Sequence, residues 1–425
     1  MINARKTVAG LIKLAQSKTG KQTFMLYGSQ TAVLALGVLT TVINTRSLGP
    51  TDYGILSFIL AVIYFVSLFF EFGFFSAGAR LLAIANDDEK EREYIGGLVV
   101  ITIGIALSFS LVIFLLSFFV DSVFHTHVGN ILRIISILVS VFPFQYMVRQ
   151  VCQGTNKIER LSAYNVVPKI WYLIGALMII SLFKLTLYIA LLLNLSGIIL
   201  ATLVVIKSLK PNFNNLKGNI EVLWKETKEY GFHVYIGRVA AVSTYQLDKI
   251  FISYFVNTTW VGFYSLAMSI TAPMALLSRS LSITMFRDFA HMERIPKRVV
   301  YYNLLWLIAC VIGLVALGKY IIVFLFSDKY LSSASLIYPL AVAGFFQGMY
   351  QPYNMFLGAH RKGEWLRKAA LTIGGINLAT NLIFVPLWGA MGAAVASAVS
   401  MGFSLCIWLF YYRKYLKELE APNAR

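Results

Sequence analysis

At 425 residues, with 58% of them hydrophobic and only 13% charged, the chain is too apolar for an ordinary soluble domain, where about a quarter of residues carry charge. A net charge of +18 would suit a nucleic-acid binder, but the basic residues fall in the gaps between apolar runs, which makes the charge a membrane-topology signal and excludes that class. Cys152, Cys310 and Cys406 are odd in number and form no CxxC pair, so neither a disulfide framework nor a thiolate metal site is indicated.

In chain order, residues 1–22 lack the short apolar core of a cleaved signal peptide. Val8, Leu11, Ile12 and Ala15 share a helical face ringed by Lys6, Lys13 and Lys18, which predicts an amphipathic segment on the inner membrane surface. Windows of about 20 apolar residues follow near 23–45, 53–79, 95–120, 131–152, 162–183 and 187–206. A second set lies near 231–255, 260–284, 299–326, 332–358, 366–386 and 389–412, the third of these, ninth in the chain, interrupted by Lys319. The expectation is an all-α polytopic membrane protein of about twelve spans. Its parts are a lobe over 23–206, a cytoplasmic linker over 207–229, a second lobe over 230–412 and a tail over 413–425. Lys and Arg crowd every second loop, as in Arg80, Lys90 and Arg92 or Arg361, Lys362, Arg367 and Lys368, and the positive-inside rule then puts both termini in the cytoplasm. No loop is long enough to bury a core of its own, which argues against an attached nucleotide-binding or glycosyltransferase domain.

The two halves repeat. Tyr27-Gly28 corresponds to Tyr230-Gly231, LGPTDYGILS (48–57) to VNTTWVGFYS (256–265) with Gly54 opposite Gly262, and Gly154 to Gly358. Six spans per half give both copies the same sense in the membrane, so the repeats are parallel, with a cavity expected between them.

Charged and polar residues inside the spans are the candidates for function, because a Lys, Arg or Asp at a helix centre costs about 2.5–3.5 kcal/mol on insertion scales. Within residues 230–257, Tyr235, Arg238, Tyr245 and Lys249 form one helical stripe, with Asp248 roughly 80° round from Arg238. Two readings stand: an internal ion-pair set that locks helices together, or a transport cavity lined with positive charge. Span 1 carries Gln30, Thr41 and Asn44 on one face, fit either for interhelical hydrogen bonds or for a substrate. Glu71 in LFFEFGFF is a candidate proton or cation site or else a structural partner for an Arg or Lys on a neighbouring helix, and Lys169 follows Pro168 in span 5. Arg279 is either buried or snorkels to the inner headgroups, the second being slightly favoured. Gly20-Lys21-Gln22-Thr23 lacks the earlier glycine of a P-loop, His125-Thr126-His127 reads as a solvated loop, and Asp87-Asp88-Glu89 as a solvated acidic run. No Ser/His/Asp set suggests catalysis, so the expectation is a transporter with no cofactor and no metal, not an enzyme.

The chain resembles the polysaccharide (O-antigen) flippase family of the MOP exporter superfamily, whose relatives include lipid II flippases and multidrug MATE antiporters. The resemblance rests on Arg46-Ser47-Leu48-Gly49-Pro50 with Tyr53-Gly54, on Gln153-Gly154 with Lys157, and on Leu247-Asp248-Lys249 followed by Val261-Gly262-Phe263-Tyr264-Ser265. FSDKYL (326–331) adds to it, as do Asn377, Asn381, Pro386 and GAMGAAVASAVS from Gly389. The family usually has Gly where Ser327 stands, and often Asp-Arg in place of Asp248-Lys249. The resemblance implies a V-shaped, MATE-like transporter in the cytoplasmic membrane. It implies export of a polyprenyl-diphosphate-linked oligosaccharide, with membrane lipids, a coupling H+ or Na+ and a polysaccharide polymerase as candidate partners, and no nucleic acid. The expected substrate contacts are Arg238, Lys249, Lys169, Arg46, Tyr235, Tyr245, Gln30 and Asn44; Asp248 and Glu71 are the expected ion-coupling sites. The alternative is a MATE-type organic-cation antiporter.

Overall fold

The computed structural model describes residues 18–85, 87–242, 244–360 and 362–420, so most of the amphipathic N-terminal segment lies outside the described residues. Among the described residues the chain is helical, as apolar runs without water to pair their backbone must be. The elements are α1 (Lys18–Leu68), α2 (Phe74–Ala83), α3 (Asp88–Leu116), α4 (Val120–Phe124), α5 (Gly129–Ile135), α6 (Val141–Gly154), α7 (Ile158–Leu182) and α8 (Leu187–Leu209). They continue as α9 (Leu216–Glu226), α10 (Phe232–Val242), α11 (Thr244–Phe255), α12 (Thr258–Thr284), α13 (Phe286–Phe289), α14 (Lys297–Ile321), α15 (Ser333–Ala359) and α16 (Gly363–Glu420). Among the described residues seven helices are long and apolar enough to cross a membrane, and the bent pair of α5 with residues 138–154, angled by 63°, makes an eighth if it is one span. The protein is a multi-pass membrane protein.

Two of these long helices are hairpins. Gly49 (φ 75°, ψ 175°), followed by Pro50, breaks α1, and the Tyr53 hydroxyl hydrogen-bonds back to Thr41. Gly389 (φ 59°, ψ −137°) does the same in α16. There a Cβ on Gly392 would lie 1.9 Å from the carbonyl oxygen of Phe384, and Asn377 donates to Ser400 at 3.2 Å. In a straight helix those last two residues would stand roughly 34 Å apart. Both glycines occupy conformations an L side chain rarely adopts. The segments α10 with α11, and α15, occupy the windows predicted near 231–255 and 332–358.

The chain divides into two compact units that cut across the predicted lobes: residues 1–40, 69–116 and 131–235 in one, and 41–68, 117–130 and 236–425 in the other. The core of the first gathers Phe75, Leu98, Met147, Val151, Tyr164, Val205 and Leu223, from α2, α3, α6, α7, α8 and α9. The linker helix α9 is therefore part of this core through Leu223, with Asn219 tied to Lys90 and Glu93 of α3.

The second unit packs α15 against both α12 and α16 around Tyr350, Phe356 and Trp408. It also takes in the α1 turn. A Cβ on Gly54 would meet the Thr258 carbonyl oxygen at 2.0 Å, and one on Gly262 would meet the Pro50 carbonyl oxygen at 2.7 Å. These contacts are reciprocal, since 50 and 54 correspond to 258 and 262 in the repeat; each copy offers the other the same bare glycine.

Three predicted spans are less regular than their windows. The second breaks between Leu68 and Phe74, the fourth bends through a 3-10 turn at Leu138–Ser140, and the ninth runs through an exposed Lys319 to Ile321 before widening into a π turn at Ile322–Phe326. Lys319 is no breaker because it stands on the helix surface, where a long side chain carries its charge outward. Arg279, near the end of α12, is exposed.

Candidate functional site

The chemistry-bearing residues fall into two groups, one in each unit. In the second unit, Asp248 on α11 is 5% exposed and fully engaged. Its Oδ2 accepts from the Tyr264 hydroxyl of α12 at 2.6 Å and from the Ser397 hydroxyl at 2.8 Å, and its Oδ1 accepts from Asn381 Nδ2 at 2.8 Å. Asn381 also donates to Asn377, one turn earlier on the first arm of α16, and Asn377 donates to Ser400. A buried carboxylate is costly unless hydrogen-bonded, and three donors on two oxygens meet that need without a cation. Pieces that stand apart in sequence and carry the family resemblance thus meet in one buried cluster. Asn381 Oδ1 is left without a partner inside it.

Lys249, the next residue, is half-buried and makes no hydrogen bond or ion pair among the described residues. Its stripe neighbour Tyr245 has its side chain outside the described residues. Arg46, on the α1 turn, is exposed, and its guanidinium donates to the carbonyls of Leu325 at 2.8 Å and Phe324 at 2.5 Å. It caps the freed end of the π turn after α14, so the structure gives this predicted substrate contact a structural task. Asn44 is buried and has a polar partner.

In the first unit, Glu71 lies in the break of the second span and is 1% exposed. Phe72 (φ 48°) and Gly73 (φ 83°) turn the chain there, and a Cβ on Gly73 would sit 2.4 Å from the backbone of Gly231. Gly231 closes a π turn, Thr227–Gly231, so two irregular backbones face each other where neither carries a side chain. Tyr235 donates its hydroxyl to the Phe69 carbonyl at 3.1 Å, and its ring lies beside Phe72 and Phe232. Its hydroxyl is therefore occupied by a carbonyl that the helix break releases. One turn out, Arg80 pairs with Glu226 at 2.6 Å and lies 5.0 Å over the Tyr230 ring. Glu71 has a polar or charged partner, and so has Arg238, which is half-buried and belongs to the second unit. Gln30 is half-buried. Lys169, one residue past Pro168 in α7, is half-buried and makes no ion pair or hydrogen bond among the described residues. His125 and His127 are exposed, and among the described residues no group of three potential metal ligands assembles.

Sequence reasoning missed Tyr264, Ser397 and Asn381 as partners of Asp248. The signal was present as polar residues at helical spacing, four apart in Asn377 and Asn381 and three apart in Ser397 and Ser400, within apolar runs.

Solved structures share this helical fold. One described as lipid II flippase MurJ, inward closed conformation, superposes with a TM-score of 0.73 at 16% identity, covering 93% of this chain and 90% of that one. An inward-facing multidrug resistance MATE family transporter of the MOP superfamily gives 0.70 at 12%, covering 92% and 96%. A MOP superfamily transporter from Pyrococcus furiosus, described as having a binding pocket of reverse polarity that suggests a different function, gives 0.55 at 12%, covering 96% and 98%. No curated protein matches by sequence. The family model described as polysaccharide biosynthesis protein matches residues 19–286, and the chain belongs to that family.

Proposed function

We propose that the protein is a flippase that carries a polyprenyl-diphosphate-linked oligosaccharide, a precursor of O-antigen, capsule or exopolysaccharide, from the inner to the outer leaflet of the cytoplasmic membrane by alternating access, with both termini cytoplasmic. The observation that carries this reading is Lys249, half-buried in an apolar helix and without an ion pair among the described residues, the carboxylate that acts on it, Asp248, being already held by three donors. Lys169 has the same character. A cation in that setting is costly unless a substrate charge meets it, and a diphosphate supplies two. Arg238 is the proposed first contact and Lys249 a later one. Tyr235 offers an aromatic face for sugar even with its hydroxyl engaged, and Tyr245, Gln30 and Asn44 complete the set.

Export of an anionic head group from an inside-negative cell gains about 2.3 kcal/mol per charge per 100 mV. Asp248 and Glu71 are the proposed points at which H+ or Na+ adds to this drive. The unpaired Asn381 Oδ1 beside Asp248 supports the first, since it offers a further oxygen to an incoming cation. An organic-cation antiporter is the competing reading, and three basic side chains within spans, Lys169, Arg238 and Lys249, weigh against it. The test expresses Lys249→Ala and Lys169→Ala in a strain whose own gene is deleted. Surface polysaccharide should be lost at normal protein levels with drug resistance unchanged; full polysaccharide with altered drug resistance would sink the flippase reading.

A further inference from the structure

Where the two arms of α16 end side by side, their cations outnumber the carboxylates available to them. Lys362 Nζ lies 4.5 Å from the Trp365 ring centre and Lys414 Nζ lies 5.0 Å from the same ring, whose other neighbour is the Tyr411 ring stacked at 5.4 Å and 16°. Lys362 is neutralised by Glu418 at 2.8 Å, and Lys368 by Glu364 at 2.7 Å. Lys414 forms no ion pair among the described residues and is exposed. Two ammonium groups drawn to one indole repel each other, and the ring's quadrupole offsets that only in part.

The surface continuing from Lys414 is apolar. Phe410, four residues earlier, is 63% exposed, and Phe403, a further two turns along the same stripe, is 52% exposed. On the facing arm, Leu371 one turn beyond Lys368 is 47% exposed. A cation beside an aromatic slab, standing at the head of two exposed apolar stripes, matches the layout of a phospholipid: an anionic phosphodiester above acyl chains.

We infer that Lys414, Trp365 and the α16 stripes form a binding site for an anionic phospholipid, distinct from the transported substrate. Lys414 contacts the phosphate, the Trp365–Tyr411 slab carries the glycerol region, and the acyl chains run along Phe410, Phe403 and Leu371. The inference stands whether or not the protein is a flippase.

Native mass spectrometry of the full chain, with chain-matched phosphatidylglycerol and phosphatidylcholine in competition, tests it. Wild type should retain phosphatidylglycerol preferentially. Lys414→Gln should lower that preference about fivefold, as loss of one surface cation near an anionic headgroup does, whereas Lys329→Gln should leave it unchanged. Equal retention of both lipids by wild type, or an undiminished preference in Lys414→Gln, would overturn the inference. So would displacement of the lipid by inorganic pyrophosphate, which would mark a site for free phosphate. Should Lys414→Gln not fold, hydrogen exchange in wild type decides: phosphatidylglycerol alone should slow exchange over residues 408–418, and equal slowing by both lipids would refute the site.

Discussion

Asp248 and Lys249 are adjacent in sequence and differ in every other respect. The carboxylate is buried under three donors, so removing its charge disturbs a satisfied network. Asp248→Asn keeps the shape but sets an amide donor against the donors already present, and should cost about 1.5–3 kcal/mol, seen as a lower unfolding temperature of the purified protein. A role in cation coupling adds a second expectation: sodium, or acid for a proton, should shift that temperature in wild type and not in Asp248→Asn. An identical response in both would leave the cluster structural. Lys249 predicts the reverse pattern. With no hydrogen bond or ion pair to lose, and beside it only the charge of an Asp248 already held by three donors, Lys249→Met should hold or raise the unfolding temperature while abolishing polysaccharide export. A variant that lost stability as well would show that the lysine serves packing.

Among the elements, the breaks matter as much as the helices. At Gly73 the backbone is left-handed and pressed on Gly231, so Gly73→Ala incurs both conformational strain and overpacking. Gly313 lies within α14 with open space around it, and there Ala should gain about 0.5–1 kcal/mol of helix propensity. Thermal unfolding of the two variants should therefore move in opposite directions, and a shared direction would mean that the Gly73 contact yields readily. Regular helices of this kind were legible from apolar windows because the bilayer demands uninterrupted backbone pairing. The irregular pieces were not. Nothing local in LFFEFGFF announces a break at Phe72-Gly73, since that turn depends on a backbone brought in from position 231. The Asp248 cluster escaped for a related reason. Its partners lie 16, 133 and 149 positions away, and periodicity ranks polar residues on their own helix but does not pair them across helices. Arg46 was legible as a charge, while its pairing with the carbonyls that the π turn after α14 frees was not.

For the molecule as a whole, the basic loops predict a sidedness that labelling can check. Single cysteines at Ser122 and Asp88, both exposed, belong on opposite faces under the proposed topology. They would be placed in a background with Cys152, Cys310 and Cys406 replaced. An impermeant maleimide applied to intact cells should label the cysteine at 122 and spare the one at 88, and the opposite pattern would invert the proposed direction of transport. The glycines at 54 and 262 bear on a different question, that of descent. When residue 54 touches 258 while residue 262 touches 50, the relation is the one found between identical subunits meeting about a dyad. A half-length ancestor dimerising through that patch would have needed the glycine only once, and a single enlarged side chain would have spoiled both sides of its interface together. Duplication and fusion would have made the two sites separately mutable, and in this chain both are glycine.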